Sequence, residues 1–406
     1  MKASLTSGRS VRGECRTVAG CARGRGQTRF RAMLTSLGDL FTTKRVIVTV
    51  GCGGVGKTTI AAALALAAAQ RGRRVLCLTI DPAKRLATSL GLREMAHEAQ
   101  EIDPALWRTE GEGTLTAMML DVRGTFDALV TRYANNPQTR DRILNNQIYQ
   151  EVSGSLAGTP EYMAMEKLYA LRDDPRYDLI VLDTPPTSNA LDFLEAPDKM
   201  IEAVDSPAIS AFVSAFERTG KLSLNLLSKA MAKVLQGLGS FTGADFLSQV
   251  AEFLSDLQSL FGGFRERASK VRDALMASEV AFVVVSSPDP MAVGEAMFFV
   301  DHLQKHRMNA EALVMNRVRQ AEDLPTPSAD RLAGLLSDAS IPNATDLGAA
   351  FSRAWRDMST WARRDALEVA RAQREMASVP RHAVVPTLDE DVYDLAALAH
   401  VAQRLV

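Results

Sequence analysis

Eight consecutive residues, Gly51-Cys52-Gly53-Gly54-Val55-Gly56-Lys57-Thr58, fit the pattern GxxxxGK[ST]. Glycines at this spacing let backbone N–H groups turn inward on an anion, and a helix beginning at the lysine adds its positive dipole end. Lys57 is then expected to reach the β- and γ-phosphates of a nucleotide, and the Thr58 hydroxyl to ligate Mg²⁺. The competing reading, a turn with no ligand, fits poorly with the β-branched run "VIVTV" before the loop and the alanine-rich helix after it. Two carboxylates close other apolar runs. Asp81 ends "RVLCLTI" and precedes Pro82; it could hold an attacking water, or cap a helix, since Asp-Pro is also good capping grammar. Asp183 ends "LIVLD", the arrangement that holds Mg²⁺ or its waters, and the defined loop Thr184-Pro185-Pro186-Thr187 makes a mere strand-end turn the weaker reading. The expected base is adenine. A guanine reader needs an Asp just past the Asn of an NKxD-like stretch; "VMNRVRQ" has none, and Asn316 can offer its amide to adenine or sit in an ordinary turn.

These groups need a scaffold that delivers strand ends to one edge. Apolar runs at Arg45–Val50, Arg74–Ile80, Leu115–Asp121, Leu179–Asp183, Ala281–Ser286, Ala312–Asn316 and Ala383–Leu388 alternate with helical stretches. That alternation predicts an α/β fold: a doubly wound parallel sheet of the P-loop kind, helices on both faces, ligand beyond the carboxyl ends of the strands. Between Pro207 and Ala277 the strand pattern stops. Three- and four-residue steps predict two amphipathic helices there, one through Leu222–Leu238, the other through Phe246, Val250, Phe253, Leu257, Leu260, Phe261 and Phe264. A further helix is expected over Asp346–Met376. The expected organisation is a basic tail (1–40), a nucleotide domain (41–206 and 278–406) and a helical insertion (207–277), with no internal repeat.

Composition narrows the class. The chain has 406 residues, 47% of them hydrophobic and 23% charged, enough for a sizeable core. A net charge of −1 argues against a nucleic-acid footprint across the surface, so no nucleic-acid partner is expected. No run matches the roughly 18 to 20 uninterrupted apolar residues of a membrane span. Cys15, Cys21, Cys52 and Cys77 form no CxxC pair and no zinc spacing, which points to a reducing, cytoplasmic setting without structural zinc. In the first 31 residues Lys2 and seven arginines face the single acid Glu14, with no apolar h-region. A transit peptide would look like this; a disordered tail, or a true start at Met33, is the simpler expectation.

The segments "GCGGVGKTT", "DPAKRLATSLG", "LDTPPTSNALDFLEAP", "VMNRV" and "VVPTLDEDVYDLAAL" together resemble the ArsA/GET-type ATPases, the anion-pump and tail-anchored-protein-targeting branch of the deviant-Walker P-loop enzymes. The likeness spans roughly 45–200 and 280–400, and "AGTPEYMAMEKL" is most similar to bacterial, especially actinobacterial, members. The resemblance implies ATP and Mg²⁺ as ligands, phosphate contacts from Gly53, Gly54, Gly56, Lys57, Thr58 and Thr59, a water-positioning Asp81, a magnesium-side Asp183, and adenine between Asn316 and Pro386. It also implies a dimer with the nucleotides sandwiched between subunits. Three departures stand out. The family's signature lysine, which reaches across the dimer, is Cys52 here; the zinc-binding CxxC clasp is missing; and so is the second P-loop half of the tandem arsenite pump ATPase. Cys52 makes a homodimer one expectation and a heterodimer with a lysine-bearing paralogue the other. A redox role, with the thiol made acidic by the helix N-terminus, is a lesser reading than a tolerated small side chain. If charge has moved elsewhere, Lys84 and Arg85 are the first candidates.

Three outputs compete. An ATP-driven switch could handle hydrophobic protein segments or a membrane partner through the insertion; an ATPase subunit could energise anion export; a MinD/ParA-like protein could organise a surface. Export lacks thiolate ligands outside the tail and loop, and the surface organiser lacks a basic amphipathic tail. The first reading keeps the most features, although two amphipathic helices more often simply cover a core.

Overall fold

Strands β1 (Val46–Val50), β2 (Arg74–Thr79), β3 (Gln100–Glu101), β4 (Thr114–Met119), β5 (Leu179–Asp183), β6 (Val280–Ser286), β7 (Ala310–Val318) and β8 (Arg381–Pro386) form one sheet in the order β3-β4-β2-β5-β1-β6-β7-β8. Every pairing is parallel except the short β3–β4 step. The computed structural model describes residues 36–80, 85–107, 112–153, 159–184, 190–207, 250, 252–257, 260–320 and 326–406.

The strands read as unbroken apolar runs because both sheet faces are covered. Side chains alternate sides along a strand, and here each strand feeds two cores. Val46, Val48 and Val50 of β1, Leu76 and Leu78 of β2, Ile180 and Leu182 of β5 and Phe282 and Val284 of β6 point into one core. Ile47, Val75, Cys77, Leu179, Val181 and Val283 point into the other. Helices α1 (Lys57–Gln70) and α9 (Leu395–Leu405) cover the second face and pack on each other. α1 is buried along almost its whole length, which its alanines permit by letting a helix lie close to the sheet. The first face is covered by α2 (Val122–Tyr133), α3 (Thr159–Arg172), α4 (Ala190–Val204), α5 (Phe261–Leu275), α6 (Pro290–Lys305) and the inner turns of α8 (Ala344–Glu375), which also packs along α7 (Ala329–Asp338).

The seven expected strands are all present, with ends shifted by a few residues, and the long helix expected over Asp346–Met376 is α8. Two elements had no readable signal. β3 is two residues long, and α7 has no buried residue to mark a stripe. Of the insertion, the stretch Leu222–Leu238 and Phe246 lie outside the described residues. Most of the rest of the second stripe is core, with Leu257 partly buried against it and the side chain of Phe261 outside the described residues. Phe264 lies 6.0 Å from the Phe126 ring and 5.9 Å from Tyr133, and Phe253 lies 6.2 Å from Tyr149. Val250, Phe253, Leu260 and Phe264 are all buried, so where it is described this stripe covers a core and does not line an open groove. α5 is also tied to α3 by a buried ion pair. Arg267 Nε donates to both carboxylate oxygens of Glu166 at 2.8 and 2.9 Å, with the guanidinium 4.0 Å above the Tyr169 ring.

Candidate nucleotide site

The loop Gly51–Gly56 leaves the carboxyl end of β1, between β5 and β6. Gly51 has φ +149°, and a Cβ there would stand 2.1 Å from the Val285 carbonyl oxygen of β6. Only glycine lets the chain pass. Gly54 (φ +80°) and Gly56 (φ +93°) take left-handed conformations that turn the loop back toward the start of α1. A Cβ on Gly54 would meet nothing within 4 Å, whereas one on Gly56 would lie 2.3 Å from Asn316 Nδ2. The space above the loop is open, and its far edge is held by a side chain from β7.

Lys57 is buried, and its ammonium arches back to donate to the Cys52 carbonyl at 2.9 Å. Asn316 Nδ2 donates to the Val55 carbonyl at 2.8 Å, and Arg317 Nη1 donates to the Gly54 carbonyl at 2.9 Å. Asn316 thus gives one N–H to the loop and keeps its Oδ1 as the acceptor an adenine amino group needs. The β5 end is tied in by side chains. Thr184 Oγ1 donates to the Thr49 carbonyl at 2.7 Å, and Thr79 Oγ1 donates to Asp183 Oδ2 at 3.1 Å. Asp183 is fully buried, in register with Thr49 on one side and Thr79 on the other.

Gly54, Gly56, Lys57, Thr58, Thr59, Asn316 and Pro386 come together around a cleft of about 740 Å³, within the range of small-molecule sites. Gly53 is exposed at the loop crest and Asp183 lies beneath the sheet edge; neither lines the cleft. Asp81 and Lys84 lie outside the described residues, as does the side chain of Arg85. Sequence reasoning passed over Arg317 and the wall that follows Pro386, where Glu390, Asp391 and Tyr393 line the same space. The adjacency of Arg317 to Asn316 was a usable signal; the acidic wall reads in sequence as an ordinary solvated turn.

Cys52 is half-buried. Burial pushes its thiol above the ordinary range, the Glu295 carboxylate pushes it further by charge and by hydrogen bonding, and the Lys57 ammonium pulls weakly the other way. This corrects the redox-sensor reading: the thiol is held neutral, not activated, because burial, reinforced by a carboxylate on α6, outweighs the loop's cation. Thiolate is the reactive form, so a raised value means slow alkylation. In a Cys15→Ser/Cys21→Ser background, iodoacetamide at pH 8 is expected to label Cys52 more slowly than a free thiol, and Glu295→Gln is expected to speed labelling several-fold. Equal rates with and without Glu295 would remove the carboxylate from this account.

A family model described as anion-transporting ATPase matches residues 44–329. The chain is 26% identical over 283 residues to ATPase get3 of Aspergillus terreus, covering 69% of this chain and 75% of that protein. It is 27% identical over 280 residues to ATPase GET3 of Ajellomyces dermatitidis, covering 68% and 73%, and 25% identical over 287 residues to ATPase GET3 of Podospora anserina, covering 70% and 75%. These named relatives are fungal, whereas "AGTPEYMAMEKL" was most similar to bacterial members.

Proposed function

The chain belongs to the anion-transporting ATPase family and is an ATPase of the ArsA/GET type, and from that premise we propose that it hydrolyses Mg²⁺-ATP in the cleft above Gly51–Thr58, as one of two nucleotide faces opposed in a dimer. The convergence of the loop, Lys57, Thr58, Asn316 and Pro386 on one cleft carries this reading. The residues fit the ligand. The loop crest is open to an anion, and Gly56 and Asn316 close its base-side edge. Among the described residues no cluster of three or more His, Cys, Asp or Glu side chains could hold a metal alone. Thr58 would hold magnesium together with the nucleotide's own oxygens, and Asp183 behind them would hold the ion or its waters, the sparse set this cation uses; the chemistry it would supply is neutralisation of phosphate charge.

The protein's own groups then divide the work. Lys57 exchanges the Cys52 carbonyl for phosphate oxygens; Gly53, Gly54, Gly56 and Thr59 supply backbone and hydroxyl donors; Asn316 and Pro386 flank adenine; Asp81 orients the attacking water. The chain is organised as a nucleotide domain (41–206 and 278–406) and a helical insertion (207–277) whose returning helix is rooted in the domain's core; the expected tail (1–40) is shorter than that, because Leu37 and Leu40 are buried in the same domain. Its setting is the cytoplasm, and no helix among the described residues is long and apolar enough to cross a membrane. The partner is a second copy or a paralogue with lysine at position 52, and the output is a switch acting on a hydrophobic protein segment. Such a segment has to be received by surface other than the Phe253–Phe264 stripe.

Asp81→Asn is expected to keep ATP affinity within about threefold and to lower kcat at least about a hundredfold, measured by phosphate release and analogue binding. Full turnover by this variant would remove Asp81 from the mechanism, and preference for GTP in competition would remove the adenine assignment. Light scattering should show a dimer that tightens with a non-hydrolysable ATP analogue. A strict monomer at micromolar concentration with and without the analogue contradicts the paired arrangement.

A further inference from the structure

β7 sends two successive side chains onto the phosphate loop, which a regular strand cannot do, because neighbours point to opposite faces. The device is an irregular step: pairing of β7 with β8 shifts register between Met315 and Val318, and inside it Arg317 has φ +59°. Left-handed backbone is uncommon for an arginine, and conformations of this kind collect at functional sites. Here it turns the guanidinium to the Gly54 carbonyl while Asn316 holds the next carbonyl, that of Val55. A guanidinium has five N–H donors. One is spent on Gly54, and the group lines the cleft. Among the described residues no carboxylate forms an ion pair with it, although Glu390 and Asp391 line the same cleft. The loop otherwise has Lys57 as its cation among the described residues, position 52 being a cysteine.

We propose that Arg317 is a positioning residue of this ATPase: anchored on the Gly54 carbonyl, it holds the phosphate loop in shape and sets a second positive charge over the nucleotide's polyphosphate within the same subunit. This rests on the nucleotide reading of the cleft. It also relocates the search for a compensating cation from Lys84 and Arg85 to a strand end more than 200 residues away along the chain.

The test compares Arg317→Ala, Arg317→Gln and Arg317→Lys in the full chain. Gln can keep a donor for the Gly54 carbonyl without the charge; Lys keeps the charge without the planar fork. Steady-state ATP hydrolysis should show kcat down about ten- to a hundredfold in the Ala and Gln variants, with KM for ATP within about threefold. The Lys variant should recover most of the rate, and all three should melt within a few degrees of wild type. Wild-type turnover in the Gln variant would reduce Arg317 to a carbonyl cap and overturn the proposal, as would a Lys variant no faster than Gln. A wild-type protein that binds no ATP overturns the nucleotide reading itself, and this role with it, which separates the two failures.

Discussion

Lys57→Ala is expected to lower kcat/KM for ATP by at least about a hundredfold, the scale on which removal of one preorganised charge donor is felt. The side chain leaves the first turn of α1, its stem is buried, and its ammonium already sits inside the loop's curve, 2.9 Å from the Cys52 carbonyl. Phosphate oxygens entering the cradle meet a cation that needs little reorganisation, and that preorganisation is what the substitution removes. Truncation also empties the volume of the stem, so a folding defect has to be separated from lost charge. Lys57→Met keeps the stem and removes the ammonium. Both variants should bind ATP weakly in analogue displacement, while the Met variant should melt within a few degrees of wild type. ATP affinity and turnover at wild-type levels in Lys57→Met would mean that the nucleotide is held elsewhere.

Glu166→Ala is expected to be the most destabilising single change in the insertion's attachment. Glu166 and Arg267 are among the few buried charged residues of the described part of the chain, with 4% and 7% of their surface exposed, so removing the carboxylate leaves a guanidinium with little access to water. Burial works against the Arg267 charge, and hydrogen bonding and charge from Glu166 outweigh it, leaving the guanidinium firmly protonated. Breaking such a pair costs about 3–5 kcal/mol, and Tm should fall by about 10 °C in a domain of this size. Replacing both partners, as Glu166→Leu with Arg267→Met, should recover most of the loss, because two well-packed apolar groups carry no stranded charge. Unchanged melting of Glu166→Ala would show that the pair does not fasten α3 to α5.

Patterns local to the chain were enough for much of this protein. The strands announced themselves because burial on both faces makes β-branched runs unbroken, and Lys57, Thr58 and Asp183 followed from the residues that bound those runs. The parallel sheet then brought their carboxyl ends to one edge by topology alone. Other features depended on which surface met which. The stripe through Phe253 and Phe264 has the same three- and four-residue spacing whether it lines a groove or a core, and only the rings of Phe126, Tyr133 and Tyr149 against it decide for the core. The Cys52 thiol, read beside a helix N-terminus, looked open to activation; burial first, and then the Glu295 carboxylate more than 200 residues away, push it the other way. Asn316 and Arg317 likewise reach Val55 and Gly54 across most of the chain because β7 stands two strands from β1. Periodicity records the environment a residue must have, buried or exposed, at intervals of a few residues. The identity of the neighbour that supplies that environment, and the charge it brings, is set by contacts between distant segments and leaves no repeating mark in a single sequence.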